Sequence, residues 1–245
     1  MNNKVEKSLK QKTGIKVISG LNNFNQSNVL KIAKAAKRAN CTFIDIAAAP
    51  KLVENVKKEI SDLPICVSAI KPELFVDCVK VGADLIEIGN FDSLYNQGYK
   101  ISFKDILYLV KKTRSLLPNT LLSVTIPYLL PLNMQLELAF RLETLKVDII
   151  QTEGKLISSK YIDSNSKIEN ILPTLASTYL LANNVSLPII CASGLSLNTA
   201  SIPFQLNASG IGIGTAISKL KSEEEMYEIL NKIYLKVNNQ ILVKF

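Results

Sequence analysis

Residues 188–196 read PIICASGLS, and residues 207–217 read NASGIGIGTAI. Each holds a short apolar run, Ile189 to Ser193 and Gly210 to Gly214, that ends in small side chains. One helical stretch, Leu197 to Leu206, separates them. Short apolar runs bounded by turn residues read as buried strands. Small residues at a strand's end let backbone N–H groups approach an anion, and a following helix adds its own N–H groups and dipole.

Outward from this pair the same unit repeats. Six further strands are expected at Lys16 to Gly20, Phe43 to Ala48, Ile65 to Ala69, Leu85 to Gly89, Leu121 to Ile126 and Asp148 to Glu153. Helical segments follow at Asn25 to Ala39, Lys51 to Ile60, Pro72 to Val81, Phe103 to Leu116, Leu132 to Leu145, Ile168 to Asn183 and Glu223 to Asn238. In the last, Met226, Ile229, Ile233 and Val237 recur at helical spacing behind Ser222 and three first-turn glutamates, a capped amphipathic helix. Strand–helix alternation with no linker predicts parallel α/β architecture. Eight such units in 245 residues fit one closed (βα)8 TIM barrel better than a doubly wound sheet. The domain is read as 1–245, with 1–14 as an N-terminal extension open to being mobile. Long loops are expected at Asn90 to Ser102 and Gly154 to Lys167, the second a lid candidate.

Composition narrows the chemistry. The chain is 47% hydrophobic with 10 Gly and 9 Pro, which excludes disorder and low complexity. Its net charge of +8 comes from lysine, with arginine only at Arg38, Arg114 and Arg141. Such a surface invites an anionic ligand; nucleic acid is not expected, because arginine clusters with interleaved aromatics are missing. The absence of His removes Ser-His and Cys-His nucleophile pairs and most zinc sites. Cys41, Cys66, Cys78 and Cys191 are far apart in apolar surroundings and read as buried hydrophobes in a reducing compartment. No membrane segment is expected: the apolar stretch from Leu121 to Leu132 is too short and is broken by Pro127 and Pro131.

Alternation along the strands selects the side chains that face the barrel interior. Strand two offers Phe43, Asp45 and Ala47; strand four Leu85, Glu87 and Gly89; strand six Ile149, Gln151 and Glu153. Barrel layers are built from alternate strands, so Asp45, Glu87, Gln151 and Gly212 are expected in one layer. Two carboxylates buried together favour one keeping its proton, which supplies an acid and a base without His. Asp45 or Glu87 is then the candidate proton-transfer group, with Glu153 one step higher. Lys16 is placed to reach beneath them, either to neutralise the pair in a purely structural network or to serve the site. Ser123 and Thr125 on strand five can add hydroxyls to the same cavity. Lys71 follows strand three on the rim, placed to bind a substrate anion, to form a Schiff base, or to sit as a surface lysine. Asp45, Glu87 and Glu153 together could hold Mg²⁺, a weak ligand pattern. Phe91, Tyr95 and Tyr99 could cover a ring or pack the loop.

The final quarter resembles the phosphate-binding (βα)8 barrels, such as thiazole synthase and the indole- and histidine-pathway barrels. That resemblance implies that Ser193, Gly194, Gly214 and Thr215 donate to a phosphate, although one Gly rather than two follows strand seven. Lysine-dependent aldolases commonly keep their Schiff-base residue on strand six, where this chain has Gln151. From Lys16 to Lys219, through Phe43-Ile-Asp-Ile-Ala, Glu87-Ile-Gly-Asn-Phe-Asp and Gln151-Thr-Glu-Gly, the chain resembles the hypothetical chloroplast open reading frame twenty-three family. That family implies a plastid stromal protein made inside the organelle, with no assigned activity. Three readings stay open: an isomerase, lyase or synthase acting on a small phosphorylated metabolite, a flavin mononucleotide protein using the same cradle, and a non-catalytic ligand-binding or regulatory barrel. Barrels of this kind often dimerise, so a homodimer is the assembly to test.

Overall fold

A computed structural model describes residues 3–89, 91–95, 97–154 and 171–242. Eight parallel strands close into a barrel in sequence order: β1 (Gly14–Gly20), β2 (Phe43–Ala47), β3 (Ile65–Ala69), β4 (Leu85–Ile88), β5 (Leu121–Thr125), β6 (Ile149–Thr152), β7 (Ile189–Ala192) and β8 (Gly210–Ile213). The expected (βα)8 architecture is therefore present. Outside the barrel run α2 (Gln26–Arg38), α3 (Pro50–Glu59), α4 (Glu73–Lys80), α6 (Phe103–Leu116), α7 (Leu132–Thr144), α8 (Leu172–Ala182) and α11 (Glu223–Leu242).

Strand parity divides the core in two. Ile44, Ile46, Val67, Ile86, Ile88, Leu122, Val124, Ile150, Ile211 and Ile213 point outward and pack with the helices. Inward-facing Phe43, Cys66, Leu85, Leu121, Ile149 and Ile190 form a separate apolar layer at the barrel floor. The helix α11 buries Met226, Leu230, Ile233 and Val237. Its first turn is capped reciprocally: Glu225 N–H donates to Ser222 Oγ, and Ser222 N–H donates to the Glu225 carboxylate. Arg38 of α2 pairs with Glu223 and Glu224 and stacks over Tyr227, which joins the last unit to the first.

Three expectations are corrected. The N-terminal extension is not loose: α1 (Asn3–Lys10) inserts Val5 and Leu9 into the floor layer, both buried. Lys16 is fully buried, in line with its expected reach beneath the inward carboxylates. The helix expected over Leu197 to Leu206 is confined to α9 (Ile202–Gln205), and further short helices stand at α5 (Asp92–Tyr95) and α10 (Thr215–Ser218). Asp148 precedes its strand, where its carboxylate accepts from Leu122 N–H and pairs with Arg114. The lid candidate after β6 falls almost entirely on 155–170, outside the described residues.

Candidate functional site

Above the apolar floor the barrel interior turns polar. Lys16 Nζ lies 2.7 Å from Glu87 Oε1, 2.8 Å from Gln151 Oε1 and 3.1 Å from Asp45 Oδ2. Ser68 donates to Asp45, and Ser123 donates to Glu87 Oε2 at 2.6 Å. The Gln151 amide donates to Glu87 at 3.1 Å and to Thr125 Oγ at 3.2 Å. Asp45, Glu87 and Gln151 thus share one level, as alternation along the strands predicts, and every member of the group is buried. Thr125 joins Ser123 in supplying hydroxyls from strand five, whereas Ser68 is an addition to the expected set, though Cys66 and Ser68 alternate on β3 as the other inward residues do.

Electrostatics follow from this burial. Loss of water pulls Lys16 down, but the carboxylates of Asp45 and Glu87 outweigh it and hold the ammonium above the ordinary lysine value. Burial pushes Glu87 up, against the attraction of Lys16, so its carboxyl keeps a proton more readily than a free glutamate. Four of the sequence-derived candidates, Lys16, Asp45, Glu87 and Ser123, therefore form a closed network beneath the site rather than lining it.

The cleft itself opens at the C-terminal ends of β6, β7, β8 and β1. It encloses about 500 Å³, counting its open mouth, and is lined by Ile18, Gln151, Glu153, Ser193, Gly194, Gly212, Gly214 and Thr215 among others. Gln151 belongs both to the cleft and to the Lys16 network. Ser193 has a φ of 83° and Gly194 one of 76°. A side-chain-bearing residue in that region is strained by about 1–3 kcal/mol, and such residues gather at functional sites. The Ser193 hydroxyl, donating to Gly154 O at 2.9 Å, ties the exits of β6 and β7 together. In α10 the intrahelical bonds begin with Ile217 and Ser218 donating to Gly214 O, which leaves the preceding N–H groups without a helical acceptor.

The two glycines of β8 have different reasons to be there. A Cβ on Gly212 would lie 2.8 Å from Ala192 Cβ, so a larger residue collides inside the barrel. At Gly214 a Cβ would meet only Ile18, at 3.4 Å, an ordinary contact. Packing explains Gly212, while Gly214 is left as a small residue on the cleft wall.

Glu153, at the end of β6, is buried in the cleft wall and accepts from the Tyr95 hydroxyl at 3.2 Å. Tyr95 meets Tyr128 edge-on at 5.2 Å and lies tilted to the buried Phe91, so these aromatics pack the loop after β4. Tyr99 is exposed. Lys71 stands exposed at the head of α4 and does not line the cleft. The Mg²⁺ set does not assemble: Asp45 and Glu87 are engaged by Lys16, and no group of three acidic or thiol side chains suited to a metal occurs among the described residues. All four cysteines are free and buried. No helix among the described residues is long and apolar enough to cross a membrane.

A family model described as protein of unknown function (DUF561) matches residues 1–243. The uncharacterized protein ycf23 of Cyanophora paradoxa is 71% identical over 238 residues, covering 97% of this chain and 98% of that protein. Its counterpart in Cyanidium caldarium is 46% identical over 226 residues, covering 91% and 89%. The ycf designation is that of plastid reading frames, which fits a plastid origin for this chain. Among solved structures, thiamine phosphate pyrophosphorylase from Pyrococcus furiosus aligns with TM-score 0.63 at 14% identity, covering 96% of this chain and 99% of that one. A (S)-3-O-geranylgeranylglyceryl phosphate synthase from Thermoplasma acidophilum, bound to sn-glycerol-1-phosphate, aligns with TM-score 0.64 at 14% identity, covering 96% and 98%. Likeness at such identity carries the fold.

Proposed function

The chain belongs to the DUF561 family, which includes the ycf23 proteins of algae, and from that premise we propose that it is a plastid stromal enzyme acting on a small phosphorylated metabolite. The observation that carries this reading is the cleft, whose lining combines small residues at the ends of β7 and β8 with the buried carboxylate of Glu153. Ser193, Gly194, Gly214 and Thr215 would receive the phosphate through backbone N–H groups and hydroxyls, the position where barrels of this class bind phosphate. Two structural neighbours carry phosphate compounds in their names, which supports the same chemistry here.

Of the four carboxylate and lysine candidates, Glu153 lines the cleft, so it is the group assigned to proton transfer in isomerase, lyase or synthase chemistry. Asp45 and Glu87 act indirectly, by holding Lys16 and through it Gln151 at the cleft floor. The test is solvent deuterium exchange, followed by proton NMR, into the carbon next to the carbonyl of open-chain pentose phosphates. Exchange with the wild type that is lost in Glu153→Gln, with binding retained, supports the enzyme. A second reading, binding without turnover, is favoured by the closure of the Lys16 network, and it predicts binding with no exchange in either protein. Yellow flavin absorbance in the purified protein would instead assign the cradle to flavin mononucleotide. A wild type that binds none of these compounds would overturn all three.

A further inference from the structure

The helices α7 and α8 carry an apolar face that the barrel does not use. On α7, Leu132 and Phe140 lie on one side about two turns apart, with the half-buried Leu136, which also packs on the core, between them. Leu132 and Phe140 are 44% and 45% exposed. On α8, Leu172 and Tyr179 are 52% and 59% exposed, and Pro173 and Ala176 are exposed between them. The two helices are packed side by side, pinned by Ser177 donating to Gln135 at 2.6 Å and by Ser186 donating to Glu143 at 2.7 Å. Their exposed apolar residues therefore form one surface.

Charge identifies the occupant. The chain carries +8, yet no Asp, Glu, Lys or Arg occurs from Ile171 to Pro188. A net charge of +8 disfavours the approach of a second copy in general, whereas on α8 neither copy brings a charge to be desolvated. The bordering charges on α7 are also matched to a two-fold contact. Glu137 and Arg141 are both exposed, one turn apart, and their mutual separation of 3.8 Å is at the outer limit of an ion pair. In a two-fold interface residue i meets j while j meets i. Antiparallel α7 helices would set Arg141 of each copy against Glu137 of the other.

We propose that the α7–α8 face is a homodimer interface, with Phe140 and Tyr179 as aromatic anchors and two symmetric Arg141–Glu137 pairs at its edge. The inference does not depend on the ligand: a cleft that binds nothing leaves it intact.

Sedimentation velocity on the full chain tests it. Wild type is expected at twice the 27.0 kDa of one chain. Phe140→Arg and Tyr179→Arg, at exposed positions, should each raise the dimer dissociation constant roughly thirtyfold or more, as loss of an aromatic anchor does, with an unchanged circular dichroism melt. Arg141→Glu should weaken the dimer, and Arg141→Glu combined with Glu137→Arg should restore it. A monomeric wild type at 100-fold the concentration used for the variants would overturn the proposal. So would a dimer indifferent to both aromatic substitutions, or a double charge swap that fails to rescue.

Discussion

The Lys16 ammonium, reaching across the barrel from β1, sits 2.7 Å from the Glu87 carboxylate on β4, three strands away, with both side chains sealed from water. Asp45 completes the pair into a triad at 3.1 Å. One cation facing two carboxylates is balanced when Glu87 keeps its proton, the direction in which burial drives it.

Removing the cation should therefore be far worse than neutralising one anion. Lys16→Met leaves Asp45 and Glu87 buried against each other and is expected to cost roughly 3–5 kcal/mol. Glu87→Gln keeps one cation opposite one carboxylate and should cost about 1–2 kcal/mol. Urea unfolding followed by circular dichroism checks the order. Equal losses would contradict the balance described here.

The same network sets a pH dependence. Glu87 has a folded pKa raised above the ordinary 4.5, so the folded state holds its proton longer and stability falls as pH rises from about 4.5 through the raised value. Lys16, raised above 10.5, contributes stability that is complete below 10.5 and is lost as pH climbs beyond it. The melting-temperature advantage of wild type over Glu87→Gln should hence widen on acidification and narrow as pH rises above about 4.5. A constant difference over that range would contradict the assignment of the shift to Glu87.

The floor plug is a third handle. Val5 and Leu9, one helical turn apart on α1, close the apolar layer under the strands. Leu9→Ala should cost roughly 2–4 kcal/mol, as a buried leucine does. Chemical unfolding reads this directly, and a change near zero would mean that α1 is not docked in solution.

The cysteines should be inert. Burial pushes the Cys41 thiol up to about 12 and that of Cys191 to about 11. An aromatic disulfide reagent should label neither in the native protein and all four cysteines in denaturant. Rapid native labelling would show that the barrel wall opens.

Much of this was legible in the chain because strand parity is a local rule. Asp45, Glu87 and Gln151 fall inward by simple alternation, and Ser193 and Gly214 by the small residues that end β7 and β8. What was not legible depends on partners distant in sequence. Val5 and Leu9 are two apolar residues in a lysine-rich helix, and only the floor formed by Phe43, Leu85 and Ile149 gives them a place. The role of Lys16 as the hub, rather than Asp45 or Glu87 as an open acid, depends on how far a long side chain reaches across the barrel. The step in height of Glu153 above Gln151, readable from the strand, is what brings it into the cleft, while Glu87 on β4 lies beneath. The left-handed backbone at Ser193 leaves no mark on composition.

The central claim is that the cradle at β7 and β8 holds a phosphate, and thermal unfolding with phosphate, glycerol 3-phosphate, pentose phosphates and flavin mononucleotide tests it most directly beside Gly214→Asp. The variant is tolerated by packing, since a Cβ at Gly214 meets only Ile18 at 3.4 Å, and it places a negative charge where the anion would sit. A ligand at about a hundredfold its dissociation constant adds about 2.7 kcal/mol, roughly a 5 to 10 °C rise for a domain of this size. The account predicts such a rise with at least one phosphorylated compound in the wild type and none in Gly214→Asp. No rise with any compound in a folded wild type, or an equal rise in the variant, would contradict it.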